Sequence, residues 1–123
     1  MDSNHYSSCG IIERSALQRA IIRRYIEQTP ALQIVWECEF QETAHACFEQ
    51  QIPDILFLSL HHLPVAIDSL LRPLLVYHQG IIITSGFHPA EVGQLPFSIV
   101  DFLQQPFSFE QFTISIGRFN KSL

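Results

Sequence analysis

The segment "PDILFLSLHHLP", Pro53 to Pro64, carries an apolar run of strand length into Ser59, and two histidines, His61 and His62, follow at once. A hydroxyl beside imidazoles is the raw material of nucleophilic catalysis, and Glu13 offers a third member for a triad. The neighbours of Ser59 argue otherwise. A nucleophile elbow needs small flanking residues, whereas Phe57, Leu58, Leu60 and His61 are all bulky. His61, His62 and His88 with Glu13 could also be cast as ligands for zinc or nickel. Adjacent residues of an extended segment point to opposite faces, so at most one of His61 and His62 joins such a set easily. The residues are therefore read as solvated loop histidines, with no catalytic residue, no resident metal and no cofactor, and the chain as a non-enzyme.

The elements that position these residues alternate along the chain. "SSCGII" reads as a first strand. "SALQRAIIRRYIEQ", Ser15 to about Gln28, sets Leu17, Ala20, Ile21, Tyr25 and Ile26 at helical spacing, with Ser15 and Gln18 as a capping-box pair. "LQIVWECEF", Leu32 to Phe40, largely alternates apolar and polar residues and belongs at a sheet edge. A short helix over Glu42 to Gln51 follows, with Ala44, Cys47 and Phe48 inward. "DILFLSL" and "GIIITSG" are almost wholly apolar, as central parallel strands are. Between them Val65 to Leu71 is expected to be a helix ended near Arg72 and Pro73, with Asp68 inside it. A helical stretch around Pro89 to Leu95 leads to a last strand, Ser98 to Leu103, and a final helix capped by Ser108 and Gln111.

Five strands alternating with five helices give an α/β, doubly wound (βα)5 three-layer sandwich with a parallel five-stranded sheet, right-handed crossovers and flavodoxin-like order 2-1-3-4-5. Sites in such sheets lie beyond the carboxyl ends of the strands. Those ends hold Glu13 and Arg14, Ser59 to His62, Ser85 to His88, and Gln104 to Pro106.

Bulk properties narrow the partners. The 123 residues fit one domain, 1–123, with a polar extension over about 1–7 and a tail or linker start at 120–123. Seven basic against twelve acidic residues leave a net charge of -5, so direct nucleic-acid binding by this domain is not expected. Cys9, Cys38 and Cys47 form no CxxC pair and read as reduced packing residues. The polar start, with no basic and apolar leader, and the absence of a run approaching the ~18 residues of a membrane span lead to a soluble, cytoplasmic expectation without membrane contact.

The four strand tips, "RRYIEQ" in the first helix and above all "VDFLQQPF" in the last strand resemble the receiver domain of two-component response regulators, nearest to receivers attached to LytTR-type DNA-binding domains. The likeness runs from about Ser8 to Phe119. Receivers carry an acidic pair after strand one, a phosphoacceptor aspartate at the tip of strand three, a hydroxyl after strand four, a switch aromatic in strand five and a lysine before the proline that follows it. The resemblance lays these roles on Glu13 and Arg14, Ser59, Ser85, Phe102 and Gln105. Three of them depart from the family: Arg14, Ser59 and Gln105.

The departures strike the same chemistry. Aspartyl phosphorylation needs a carboxylate nucleophile, Mg²⁺ held by carboxylates and a lysine for the product. The resemblance therefore implies a phosphorelay signal-transduction module, while the residues imply a pseudo-receiver that works through protein partners. The alternatives are a working phosphorelay receiver with an atypical site, or a small metal- or serine-dependent enzyme. Asp54 opens the Ser59 strand about 16 Å away, too far to substitute, and Asp101 is not placed to help. Arg14 has two readings: a solvated loop charge, or a guanidinium beside Glu13 that takes the metal's charge position and donates to Ser59 or to carbonyls. The family also implies a sensor kinase or output domain as partner. It implies a homodimer through the face formed by the fourth helix, last strand and last helix, where six late phenylalanines, Phe97, Phe102, Phe107, Phe109, Phe112 and Phe119, could leave an exposed remainder.

Overall fold

The computed structural model describes residues 6–123; the first five residues of the expected polar extension lie outside the described residues. Ten elements alternate: β1 (Ser7–Ile12), α1 (Ala16–Glu27), β2 (Leu32–Cys38), α2 (Gln41–Gln50), β3 (Ile55–Ser59), α3 (Arg72–Tyr77), β4 (Ile81–Ser85), α4 (Pro89–Val92), β5 (Asp101–Gln104) and α5 (Phe109–Lys121). The strands form one sheet in the order β2-β1-β3-β4-β5, every pairing parallel. Edge position for β2 and central position for β3 and β4 follow from their patterns: β3 and β4 are buried along their whole length, whereas β2 is mostly half-buried.

Alternation divides each central strand between two cores. Ile55 and Phe57 face α1 and α5, where they join Ile22, Ile26, Phe112 and Ile116. Leu56 and Leu58 face the other layer, with Phe48 from α2, Leu75 from α3 and Val92 from α4. Two polar links fix the outer layers. Arg23 of α1 donates twice to the Glu37 carboxylate of β2, at 2.8 Å each, and Asp101 of β5 accepts from the Ser115 hydroxyl at 2.5 Å and from Arg118 at 2.6 Å, both on α5.

Several expectations are corrected. The third helix begins where it was expected to stop, because Pro73 sits in the first turn, where its missing N–H has no intrahelical partner to lose. Residues 66–68 are instead held by a side chain of α2: Gln41 Oε1 accepts from the Asp68 amide at 2.8 Å and its Nε2 donates to the Ala66 carbonyl at 3.4 Å. Asp68 is thus outside any helix, and its carboxylate accepts from the Leu70 and Leu71 amides. The fourth helix is a single turn, ended by Gly93 at φ 74°, a conformation that favours glycine. The last strand starts at Asp101, three residues late; Ser98 and Ile99 are exposed and the chain joins β4 through the Val100 amide on the Ile81 carbonyl at 2.7 Å.

Two corrections concern helix faces. In α1 the buried pair is Ile22 and Ile26, whereas Leu17 is 69% exposed. The late phenylalanines are mostly core: Phe107, Phe112 and Phe119 are buried, Phe97 and Phe102 half-buried, and only Phe109 is 37% exposed. They leave no ring-rich outer surface.

One buried histidine had no role in the sequence reading. His78, just after α3, shares a 2.6 Å hydrogen bond between Nε2 and the Pro53 carbonyl, and its Nδ1 accepts from the Gly80 amide at 3.0 Å. These partners fix the neutral tautomer, with Nε2 donating. Burial, the largest influence, drives its pKa below the usual 6.5, against the pull of the Pro53 carbonyl and Asp54. A lowered folded pKa means that the unfolded chain takes the proton first, so stability falls as pH drops from 6.5 toward the folded pKa. Each unit of separation corresponds to about 1.4 kcal/mol. Urea unfolding at pH 7.5 and 5.5 should show a larger loss for wild type than for His78→Gln. Equal losses would contradict the assignment.

Candidate functional site

The carboxyl edge of the sheet gathers the residues that the sequence singled out. Glu13 follows β1 and stays in sheet register because its amide donates to the Cys38 carbonyl at 3.0 Å. Its side chain turns inward and is 3% exposed. One carboxylate oxygen accepts from the Ser15 amide at 2.9 Å, the other from Gln105 Nε2 at 3.2 Å. The first bond revises the expected capping box: the Ser15 hydroxyl does accept from the Gln18 amide, at 3.2 Å, but the reciprocal acceptor is Glu13 rather than the Gln18 side chain.

Ser59 closes β3 and is 6% exposed. Its register neighbour on β4 is Thr84, on the same face of the sheet. Ser85, one position on, turns to the other face, where its hydroxyl donates to the Leu60 carbonyl at 2.6 Å and accepts from the Phe87 amide at 3.1 Å. Gln105 is seated by its own amide, which donates to the Ser85 carbonyl at 2.7 Å. Phe102 lies in β5 beside Ile83 and packs, half-buried, on the α2–α4 side of the sheet. A cavity of about 390 Å³ is lined by Glu13, Arg14, Ser59, His61, Gly86 and Gln105. The structure thus brings Glu13, Ser59 and Gln105 together, with Ser85 directly behind.

Of the two readings of Arg14, the structure matches the solvated loop charge. The residue is exposed, lies at the wall between this cavity and a second one beside Gln41 and His62, and among the described residues makes no ion pair. It does not donate to Ser59. The side-chain contact to Glu13 across the cavity comes instead from the Gln105 amide.

The histidines are also rearranged. The chain after Leu60 is not strand, so His61 and His62 do not oppose each other; their rings lie 4.5 Å apart, centroid to centroid. Partial burial, then His62 and Arg14 beside it, push the His61 pKa down against a weaker pull from Glu13. His88 caps α4: Nδ1 accepts from the Ala90 amide at 3.0 Å while the His88 amide donates to Glu91 at 2.8 Å. Among the described residues no group of three or more His, Cys, Asp or Glu is arranged to hold a metal ion.

The Mg²⁺ that a receiver site implies can be tested against this donor set. A hard cation needs several oxygen ligands, usually with more than one carboxylate nearby. Glu13 is the one acid lining the cavity, both of its oxygens already accept hydrogen bonds, and Arg14 adds positive charge at the rim. The residues do not fit the ion.

Thr84 was missed. Read only as part of an apolar run, it is fully buried, and its hydroxyl has no hydrogen-bond partner among the described residues. Its place beside Ser59 follows from the register of β3 and β4, which the strand pattern alone does not supply.

No family model matches the chain, and no curated protein does. Solved structures do. The signal receiver domain of a modulated diguanylate cyclase from Desulfovibrio desulfuricans G20 matches at 20% identity, covering 95% of this chain and 96% of that one with a TM-score of 0.77. The response regulatory domain of protein mrkE from Klebsiella pneumoniae matches at 14% identity over 94% and 96%, TM-score 0.75. RcsB from Salmonella enterica serovar Typhimurium, solved on promoter rprA, matches at 14% identity over 94% of this chain and 62% of its own, TM-score 0.76. The chain therefore has the fold of the receiver domains of response regulators.

Proposed function

We propose that this domain is a pseudo-receiver: a signalling module, of the kind joined to LytTR-type output domains, that does not accept phosphate on an aspartate and acts through protein partners. The observation that carries the reading is Glu13. It is the sole acid of the cavity, and the Ser15 amide and Gln105 occupy both of its oxygens. Where the family places a carboxylate nucleophile, Ser59 offers a buried hydroxyl with no base bonded to it; the bonded histidine rings are His78 and His88. Ser85, on which the resemblance lays the switch hydroxyl, faces away from Ser59 across the sheet and is committed to the Leu60 carbonyl. These contacts favour one fixed state.

The partner surface we assign by analogy with receivers is the α4–β5–α5 face, used for a sensor kinase, an output domain or a second copy. With the other late phenylalanines buried or half-buried, the exposed large apolar groups on and beside these elements are Ile99, Phe109 and Ile114. On treatment with acetyl phosphate and Mg²⁺ the wild-type mass should stay unchanged, and beryllofluoride with Mg²⁺ should leave the amide spectrum of the strand tips unmoved. A phosphoryl adduct, or fluoride-dependent shifts at Ser59 and Ser85, would overturn the proposal.

A further inference from the structure

The three cysteines are not equivalent. Cys9 is fully buried in β1, and burial pushes its thiol up to about 12, which leaves it inert. Cys38 and Cys47 are only half-buried. Cys38 ends β2, and α2 turns back along the same edge after two residues. The Cys38 thiol donates to the Phe40 carbonyl at 3.5 Å, and the Thr43 hydroxyl donates to that same carbonyl at 3.0 Å. Cys38 therefore lies against the first turn of α2, on the side of Thr43. Cys47 stands one turn further on the Thr43 face, and helical side chains lean back toward the N-terminus. Both cysteines pack on one hydrophobic cluster, and the Cys38 thiol has the Thr43 hydroxyl and the Cys47 thiol as neighbours.

We infer that Cys38 and Cys47 form a reversible dithiol site that is oxidised by low-molecular-weight disulfides of the glutathione class. The Cys47 thiolate attacks one sulfur of the small disulfide, and the departing thiolate takes up a proton, leaving a mixed disulfide on Cys47. The Cys38 thiolate then attacks the Cys47 sulfur and expels the second small thiol. Two protein thiols and one small disulfide become one protein disulfide and two small thiols. Burial, and after it the neighbouring Cys47, pushes the Cys38 thiol up to about 12. Cys38 is accordingly the resolving thiol, and closure quickens as pH rises. The bond joins β2 to α2 close to Gln41, whose side chain holds residues 66–68 at the rim of the second cavity.

The test treats the whole chain with oxidised glutathione under native conditions. Free thiols should fall from three to one, with the loss of two hydrogens, no retained glutathione and a Cys38–Cys47 linked peptide. Cys38→Ser should retain one glutathione on Cys47, and unchanged circular dichroism would show that this variant is folded. Stable glutathione adducts on wild type without the internal link would overturn the inference. So would three surviving thiols in folded wild type when the urea-unfolded chain is oxidised in the same buffer.

Discussion

Replacing Gly80 with alanine is expected to destabilise the fold by about 3 kcal/mol or more, a large share of the roughly 5–15 kcal/mol that holds a domain together. A Cβ at Gly80 would be driven into the Asp54 carbonyl oxygen, with a Phe119 ring carbon at 3.0 Å on another side. Neither neighbour yields cheaply. The Gly80 carbonyl accepts from the Leu56 amide at 2.8 Å and its amide donates to His78, so backing away breaks the seam between β3 and β4. Overpacking a rigid site of this kind forces backbone shifts rather than a rotamer change. Gly117 is the control. It lies within α5 with nothing within 4 Å of a built Cβ, so Gly117→Ala should stabilise by about 0.5–1 kcal/mol. Urea unfolding of the two variants checks the pair; a Gly80→Ala midpoint within error of wild type would show the seam to be pliable.

The sheet was legible because burial writes itself into composition. "ILFLS" and "IIITS" could be placed centrally from their continuous apolar character, and the alternation of β2 put it at an edge. The Ser108–Gln111 capping box was legible for the same local reason: both halves lie within four residues. What failed was decided at a distance. The helix expected over Val65 to Leu71 lost to a clamp from Gln41, more than twenty residues earlier, and Pro73 began a helix that it was expected to end. The candidate site divides the same way. Strand tips located Glu13, Ser59 and Gln105 because sheet polarity places them together, whereas Ser85 turned to the opposite face. The partner of Glu13 could not be read, since Gln105 reaches it across ninety-two positions, and Arg14 carried the more suggestive charge while pointing to solvent.

Restoring the three divergent positions should give a domain that Mg²⁺ stabilises. In the variant with Arg14→Asp, Ser59→Asp and Gln105→Lys, two new carboxylates would join Glu13 in the cavity, and the amide that now bonds Glu13 would be gone. Without Mg²⁺ their mutual repulsion makes the variant less stable than wild type, with the new lysine offsetting part of the cost. With Mg²⁺ at a hundred times its dissociation constant, binding to the folded state alone adds about 2.7 kcal/mol, which for a domain of this size raises the midpoint by on the order of 10 °C. Acetyl phosphate should then add a phosphoryl group at position 59, while wild type under the same conditions shows neither response. The comparison separates the fold from its chemistry. A variant that folds yet ignores Mg²⁺ would mean that Thr84, Ser85 or the loop after Leu60 also closes the site, and a wild type already stabilised by Mg²⁺ would show that Glu13 is free enough to hold the ion.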